Sequence, residues 1–341
     1  VELLSGKRKA LRRLATELEA SGLVEAQPLS KVQLGHFLAA AQAPISLDDL
    51  FAEAGRKVLA RHLLRLLDRQ SLVRGGDPLA LKQMRVAARR LRSTWRLFEG
   101  AYRRSEQKRH VAGLRVLGRR LGEVRDLDVL LEGLPDDPGL APLAEAWRAE
   151  RTEAFQRLLG QLDSARWRDL VARHRAFVGT PGQATSRRMR TMRLHELGSQ
   201  RLDDALAQLR QSAAPSLIGT DDATLHRLRI HGKRLRYALE TLRELAPSGP
   251  WARVHGRLVA MQDLLGEVND AAVTAVVAER WLTGPGSTTN AAVRAAVARH
   301  VTRLRRSTAG RRTAIARHLR ALHGRQLRRD MATLIAAVGR R

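Results

Sequence analysis

Apolar residues recur at three- and four-residue spacing over most of the chain, the period of a helix that buries one face. Leu50, Val58, Leu59, Leu63, Leu66 and Leu67 keep that spacing, and Ser46, Leu47 and Asp48 ahead of them offer an N-cap and an early acid. A helix is therefore predicted from there to Gly75-Gly76. Asp77-Pro78 opens the next one, which runs to a break near Gly100. Further helices are predicted at about 105–133, 141–161 and 165–178, the first closed by Pro135-Asp136-Asp137-Pro138. After Gly179-Thr180-Pro181-Gly182 the order resumes, with helices at about 186–212, 221–246 and 250–283, a loop at 284–289, and helices to Val338. Ahead of all these, VELLSG at 1–6 alternates as a short strand would, a basic amphipathic helix spans about 7–20, and a short helix ends at Ala41. No stretch reads as an interior strand, which predicts an all-α fold with bundle-like packing.

The helix after Asp77 carries KQMRVAARRLRSTWR at 82–96. At 100° per residue, Lys82, Arg85, Arg89, Arg92 and Arg96 share a stripe about 80° wide, while Met84, Val86, Leu91, Trp95 and Phe98 supply apolar positions elsewhere. The pattern returns 144 residues later in HRLRIHGKRLRYALE, with His226, Arg229, Lys233 and Arg236 in the corresponding places and Glu240 opposite Arg96. A second motif keeps the same offset: LGEVRD at 121–126 matches LGEVND at 265–270. Two motifs with one offset imply an internal duplication, and its period is too long for a solenoid. Duplicated helical bundles facing each other across a pseudo-twofold axis would bring both basic helices to one groove.

Charge sharpens this picture. The 62 Lys and Arg against 34 Asp and Glu leave a formal net charge of +28, and only seven of the cations are Lys. Arginine grips phosphate oxygens with a planar fork of donors and stays charged at physiological pH, so a phosphate-rich partner is implied. Neither stripe contains an acid before Glu240, whereas a solvated helix face mixes signs because like charges one turn apart repel. Cations about 5 Å apart along an axis suit a linear polyanion better than one small ligand. Arg115 and Arg119 on the following long helix, with Arg257 on its counterpart, are candidates for an opposing wall. A chain without Cys has no disulfide or thiolate metal site, and no apolar run approaches a membrane span, so a cytoplasmic protein is expected.

These segments together, KQMRVAARRLRSTWRLF with LGEVRDLDVLLEGL and LHRLRIHGKRLRYALE with LLGEVND, resemble the CHAD family, the conserved-histidine α-helical domain. Residues 1–36 are similar to the end of a CYTH domain. The resemblance implies two pseudosymmetric four-helix bundles, the first at 46–180 and the second at 181–341, after a short segment at 1–45. The resemblance implies binding of inorganic polyphosphate through basic residues on the bundle helices, and association with polyphosphate granules. His226 stands at the family's histidine, whereas Lys82 occupies that place in the first half, which weakens any scheme needing a histidine pair. If His226 binds as a cation, affinity should fall from about pH 6 to 8.

Other chemistries find less support. The chain has no HExxH, GxxxxGK[ST] or GxSxG motif, and His226 with His231, like His318 with His323, sits about 140° apart on a helix, a poor metal face. No catalytic residue, metal or cofactor is assigned, and a metal-dependent phosphohydrolase is the least favoured alternative. Asp126 and Asp270 are expected to orient nearby cations by ion pairing. Trp95, Trp147, Trp167, Trp251 and Trp281 stand among apolar residues and are expected in the core. Aromatics make up 4% of the chain, too few for a stacking single-strand binder, so nucleic acid remains as a backbone-binding alternative.

Overall fold

In the computed structural model, Asp77 and Pro78 start a helix where the sequence predicts one. The Asp77 carboxylate accepts from the backbone N–H groups of Leu79 and Ala80 at 2.8 and 3.1 Å, and Pro78 sits in the first turn, where its missing N–H has no helical partner to lose. The structure describes residues 30–213, 222–284 and 288–339, together with 9, 10, 13, 14, 16 and 17. Among these, twelve bounded α-helices run in order: α1 (Lys31–Gln42), α2 (Phe51–Leu67), α3 (Gln70–Arg74), α4 (Pro78–Leu97), α5 (Arg104–Glu132), α6 (Ala141–Asp163), α7 (Ala165–Val178), α8 (Leu194–Ser212), α9 (Asp222–Thr241), α10 (Ser248–Thr283), α11 (Ala291–Leu322) and α12 (Arg325–Gly339). The fold is all-α, with one isolated β-bridge among the described residues.

Packing follows one scheme twice. In the first half α2 packs on α4, α4 on α5 and α5 on α6, with α7 against α2 and α5; in the second, α8 packs on α9, α9 on α10 and α10 on α11, with α12 against α8 and α10. The halves join where α4 meets α9 and α5 meets α10. One hydrophobic cluster runs through both, taking Met84, Leu91 and Trp95 from α4 and Leu228, Leu235 and Leu239 from α9. Each such side chain contributes roughly 1.5–3 kcal/mol on burial, so the core fixes the rotation of both basic helices and turns their cationic faces outward. A smaller cluster of Leu130, Leu143, Trp147, Ala278 and Val297 ties together α5, α6, α10 and α11. Trp95, Trp147 and Trp167 are buried, and Trp251 and Trp281 are partly buried against the two clusters.

Four predicted boundaries move. The helix expected from Ser46 begins at Phe51, because the residues before it pair with a distant segment: Phe51 N–H donates to the Met192 carbonyl and Leu194 N–H to the Asp49 carbonyl, both at 2.8 Å. That helix also ends at Leu67 rather than Gly75, leaving α3 separate. The same pairing shortens the helix expected at 186–212 to Leu194–Ser212, after a 3-10 turn at Arg188–Arg190. The basic helix of the second half stops at Thr241, with a 3-10 turn at Arg243–Leu245 in place of its last turn.

The strand predicted at 1–6 and residues 285–287 of the predicted loop lie outside the described residues, as does most of the segment that resembles a CYTH terminus. Of the basic helix predicted at 7–20, the described positions are helical, and Arg13 pairs with Glu17 at 3.0 Å. Among the described residues no helix is long and apolar enough to cross a membrane.

Candidate anion-binding groove

Because α4 and α9 pack together, the two cationic stripes meet. Lys233 on α9 lies within electrostatic reach of Arg85 and Arg89 on α4 and of Arg229 and Arg236 on its own helix. Beside this contact runs an open groove of about 740 Å³, walled by Arg89, Arg92 and Arg96 of α4, Arg104, Lys108 and Arg115 of α5, and Lys233, Arg234 and Tyr237 of α9. Eight cationic side chains line it against a single carboxylate, Glu99, so an anion entering it meets a net positive field.

The cations are held without matching acceptors. Among the described residues Arg89, Arg92, Arg96, Arg115 and Lys233 form no ion pair, and the buried Nε atoms of Arg89, Arg92 and Arg234 have no hydrogen-bond partner. A buried donor left in that state costs about 1–3 kcal/mol. Burial, and then neighbouring guanidiniums, disfavour the charged forms of Arg89 and Arg92, though the Tyr237 phenol opposes this. Burial, followed by Arg229, Arg89, Arg85 and Arg236, pushes the Lys233 ammonium down to about 7. Glycines on α5 let the fork ends lie close: the Arg92 Cζ is 3.7 Å from where a Cβ would stand at Gly118, and the Arg85 Nε is 3.9 Å from that point at Gly122. An alanine at either position would meet the guanidinium at ordinary van der Waals distance.

Arg89, Arg92, Arg96 and Lys233 of the two stripes line one groove, Arg115 of the expected opposing wall joins them, and Arg236 lies beside them with Arg89 and Lys233 in its field. The others do not line it. Arg85 turns to Asp126 at 3.4 Å, the ion pair expected of that aspartate, and Lys82 is exposed and acts on Glu132 at the end of α5. Asp270 departs from its expected role, since it accepts from the Asn269 side chain at 3.2 Å and has no ion pair among the described residues. His226 and Arg229 line a second cavity of about 320 Å³, together with Val273, Val276 and Val277 of α10, on an apolar rather than a cationic wall. Arg119 is exposed and does not line the groove. Arg257 does not line the groove and lies within electrostatic reach of Asp330 of α12, which Arg253 holds at 2.6 Å.

Lys233, whose pKa burial and its cationic neighbours push down to about 7, is a groove cation that changes charge near neutral pH. Glu240, the break in the second stripe, is structural. It accepts from Arg90 across the junction at 2.8 Å, pairs with Arg236 at 3.4 Å and meets His255 at 3.2 Å.

Sequence reasoning missed Arg104 and Lys108. Their signal was present, because positions 104, 108 and 115 fall within about 40° of one another on a helix. It missed Arg234 as a wall residue because Arg234 stands off the stripe, where Gln208 accepts from its Nη1 at 3.0 Å.

Fold and groove define an all-α protein that gathers arginines from two equivalent helices along one open trough. The chain belongs to the CHAD domain family, whose sequence model matches residues 57–279. It is similar to the crystal structure of the CHAD domain from the plant Ricinus communis, at 27% identity and a TM-score of 0.67, covering 82% of this chain and 96% of that one. It shares its fold with PptA from Streptomyces chartreusis, at 20% identity and a TM-score of 0.58, covering 79% and 99%. No curated protein matches the sequence.

Proposed function

We propose that the chain binds inorganic polyphosphate in the groove between α4, α5 and α9, as a binding protein without a catalytic step of its own. The observation that carries this reading is the set of unpaired guanidiniums along one trough, eight cations against one carboxylate. Family membership supports it, as does the resemblance that first suggested the ligand. A chain of phosphates presents an acceptor at every unit and can meet several guanidiniums in succession, each charge-assisted bond contributing roughly 1.5–3 kcal/mol. Such binding would place the protein on polyphosphate granules in the cytoplasm.

Affinity should rise steeply with polymer length and fall steeply with salt, because each phosphate that is neutralised releases a condensed counterion. Competition of labelled long-chain polyphosphate against pyrophosphate and against duplex DNA, at fixed salt, tests this. Pyrophosphate competing as well as the long polymer contradicts the extended groove. Duplex DNA competing as well, phosphate for phosphate, favours a nucleic-acid backbone partner.

A further inference from the structure

Among the described lysines, Lys233 has a setting of its own. Lys57 is ion-paired to Asp49 at 2.8 Å, and Lys82 and Lys108 are exposed. Lys233 is partly buried in the wall of the groove, with no carboxylate partner among the described residues and four guanidiniums, those of Arg85, Arg89, Arg229 and Arg236, within electrostatic reach. Two consequences follow. The Arg89 fork, which lines the groove with Lys233 and has no ion pair among the described residues, is suited to hold a phosphate group there, and burial together with the four like charges leaves much of the amine neutral at pH 7 before an anion binds. A neutral amine is a nucleophile, whereas the ammonium of an ordinary lysine is not.

We propose that Lys233 is a covalent modification site at which acyl phosphates, anchored by their phosphate group in the groove, transfer their acyl group to the Nζ amine. The proposal rests on the groove being an anion site. In the step, the Nζ lone pair attacks the carbonyl carbon and the bond from that carbon to the phosphate oxygen breaks. Inorganic phosphate leaves with the electron pair and takes up the proton that the amine sheds, so no oxidant or further reactant is needed. The product is a neutral amide. It removes one cation from the centre of the trough, so acylation should weaken polyanion binding and bound polyanion should block acylation.

The test incubates the whole chain with acetyl phosphate at pH 7 and follows acetylation at each lysine by peptide mass spectrometry. A parallel reaction uses p-nitrophenyl acetate, a neutral acetyl donor of no phosphate affinity. Lys233 should react at least about tenfold faster than Lys82 and Lys108 with acetyl phosphate, given the larger neutral fraction of its amine. That preference should exceed the one seen with the neutral ester, and Arg89→Gln should reduce it toward the neutral-ester value. Equal rates at Lys233 and Lys82 with acetyl phosphate overturn the proposal. An equal preference with both donors overturns it as well, because the phosphate would then play no part. The polyphosphate reading is judged separately by direct titration: a chain that selects Lys233 with acetyl phosphate yet does not bind the long polymer keeps this site and loses that function.

Discussion

Helices α4 and α9 carry the same pattern and use it differently. Arg89 and its counterpart Lys233 both line the groove, whereas Lys82 is exposed toward the end of α5 and its counterpart His226 lines an apolar cavity against α10. Arg92 keeps a free guanidinium against Gly118, while its counterpart Arg236 leans on Glu240 and lies 5.2 Å from the Tyr237 ring. At the last position the pair has diverged altogether, since Arg96 lines the trough and Glu240 clamps the junction. A repeated stripe therefore lines the groove only where the helix opposite presents its own stripe. Elsewhere along the same helices equivalent residues are free to serve packing and the interface between halves.

Reversing a charge at the meeting point should have the largest effect. Arg89→Glu places a carboxylate among cations that have no partner, which abolishes their common field and supplies a competing acceptor. Affinity for long-chain polyphosphate at low salt is expected to fall by roughly 100-fold, equivalent to the loss of one or two charge-assisted bonds. Retained helical circular dichroism is the control. A variant that binds within threefold of wild type would remove α4 from the site.

The next effect separates Lys233 from His226. The free-state pKa of Lys233 is held at about 7, and a bound polyanion favours the ammonium and raises it. Its share of the binding energy is then fully present below pH 7 and is lost as pH rises through the bound-state pKa. Affinity should decline between pH 7 and about 9, by up to tenfold for each unit of upward shift. Lys233→Arg, charged across this range, should bind well and flatten the decline, while His226→Gln should leave it in place. A slope that follows His226 instead would return the pH response to the histidine.

Glu240→Gln should act mainly on stability. Its carboxylate joins Arg90, Arg236 and His255, and losing those charged contacts is expected to cost about 1–2 kcal/mol in denaturant unfolding. Polyphosphate affinity should change little or rise a few-fold as Arg236 is released. A marked loss of binding without loss of stability would make Glu240 part of the ligand site.

Much of this was legible from local pattern. Asp77-Pro78 and the period of the apolar residues placed α4 to within a residue or two, and the common offset of the two motifs identified the helices that would meet. What depended on distant parts of the chain was not. The extended residues before Phe51 are set by their partners at Met192 and Leu194, and no periodicity at 46–50 could announce that pairing. Arg257 had only its place on the counterpart helix to recommend it, since Gly113 stands 144 residues before it, and α12 packs on α10 and brings Asp330 within its electrostatic reach. Local pattern named the cations; the packing of neighbouring helices decided which of them shared a trough.

The central claim is that polyphosphate lies where the two stripes meet, and two matched double variants test it most directly. Arg89→Gln with Lys233→Gln, and Lys82→Gln with His226→Gln, alter corresponding positions on the same two helices. Titration of long-chain polyphosphate at pH 7 and low salt should show the first pair weakened by about 100-fold and the second by less than about threefold. Equal losses in the two pairs, or a larger loss in the second, would contradict the account and place the ligand along the outer ends of the stripes.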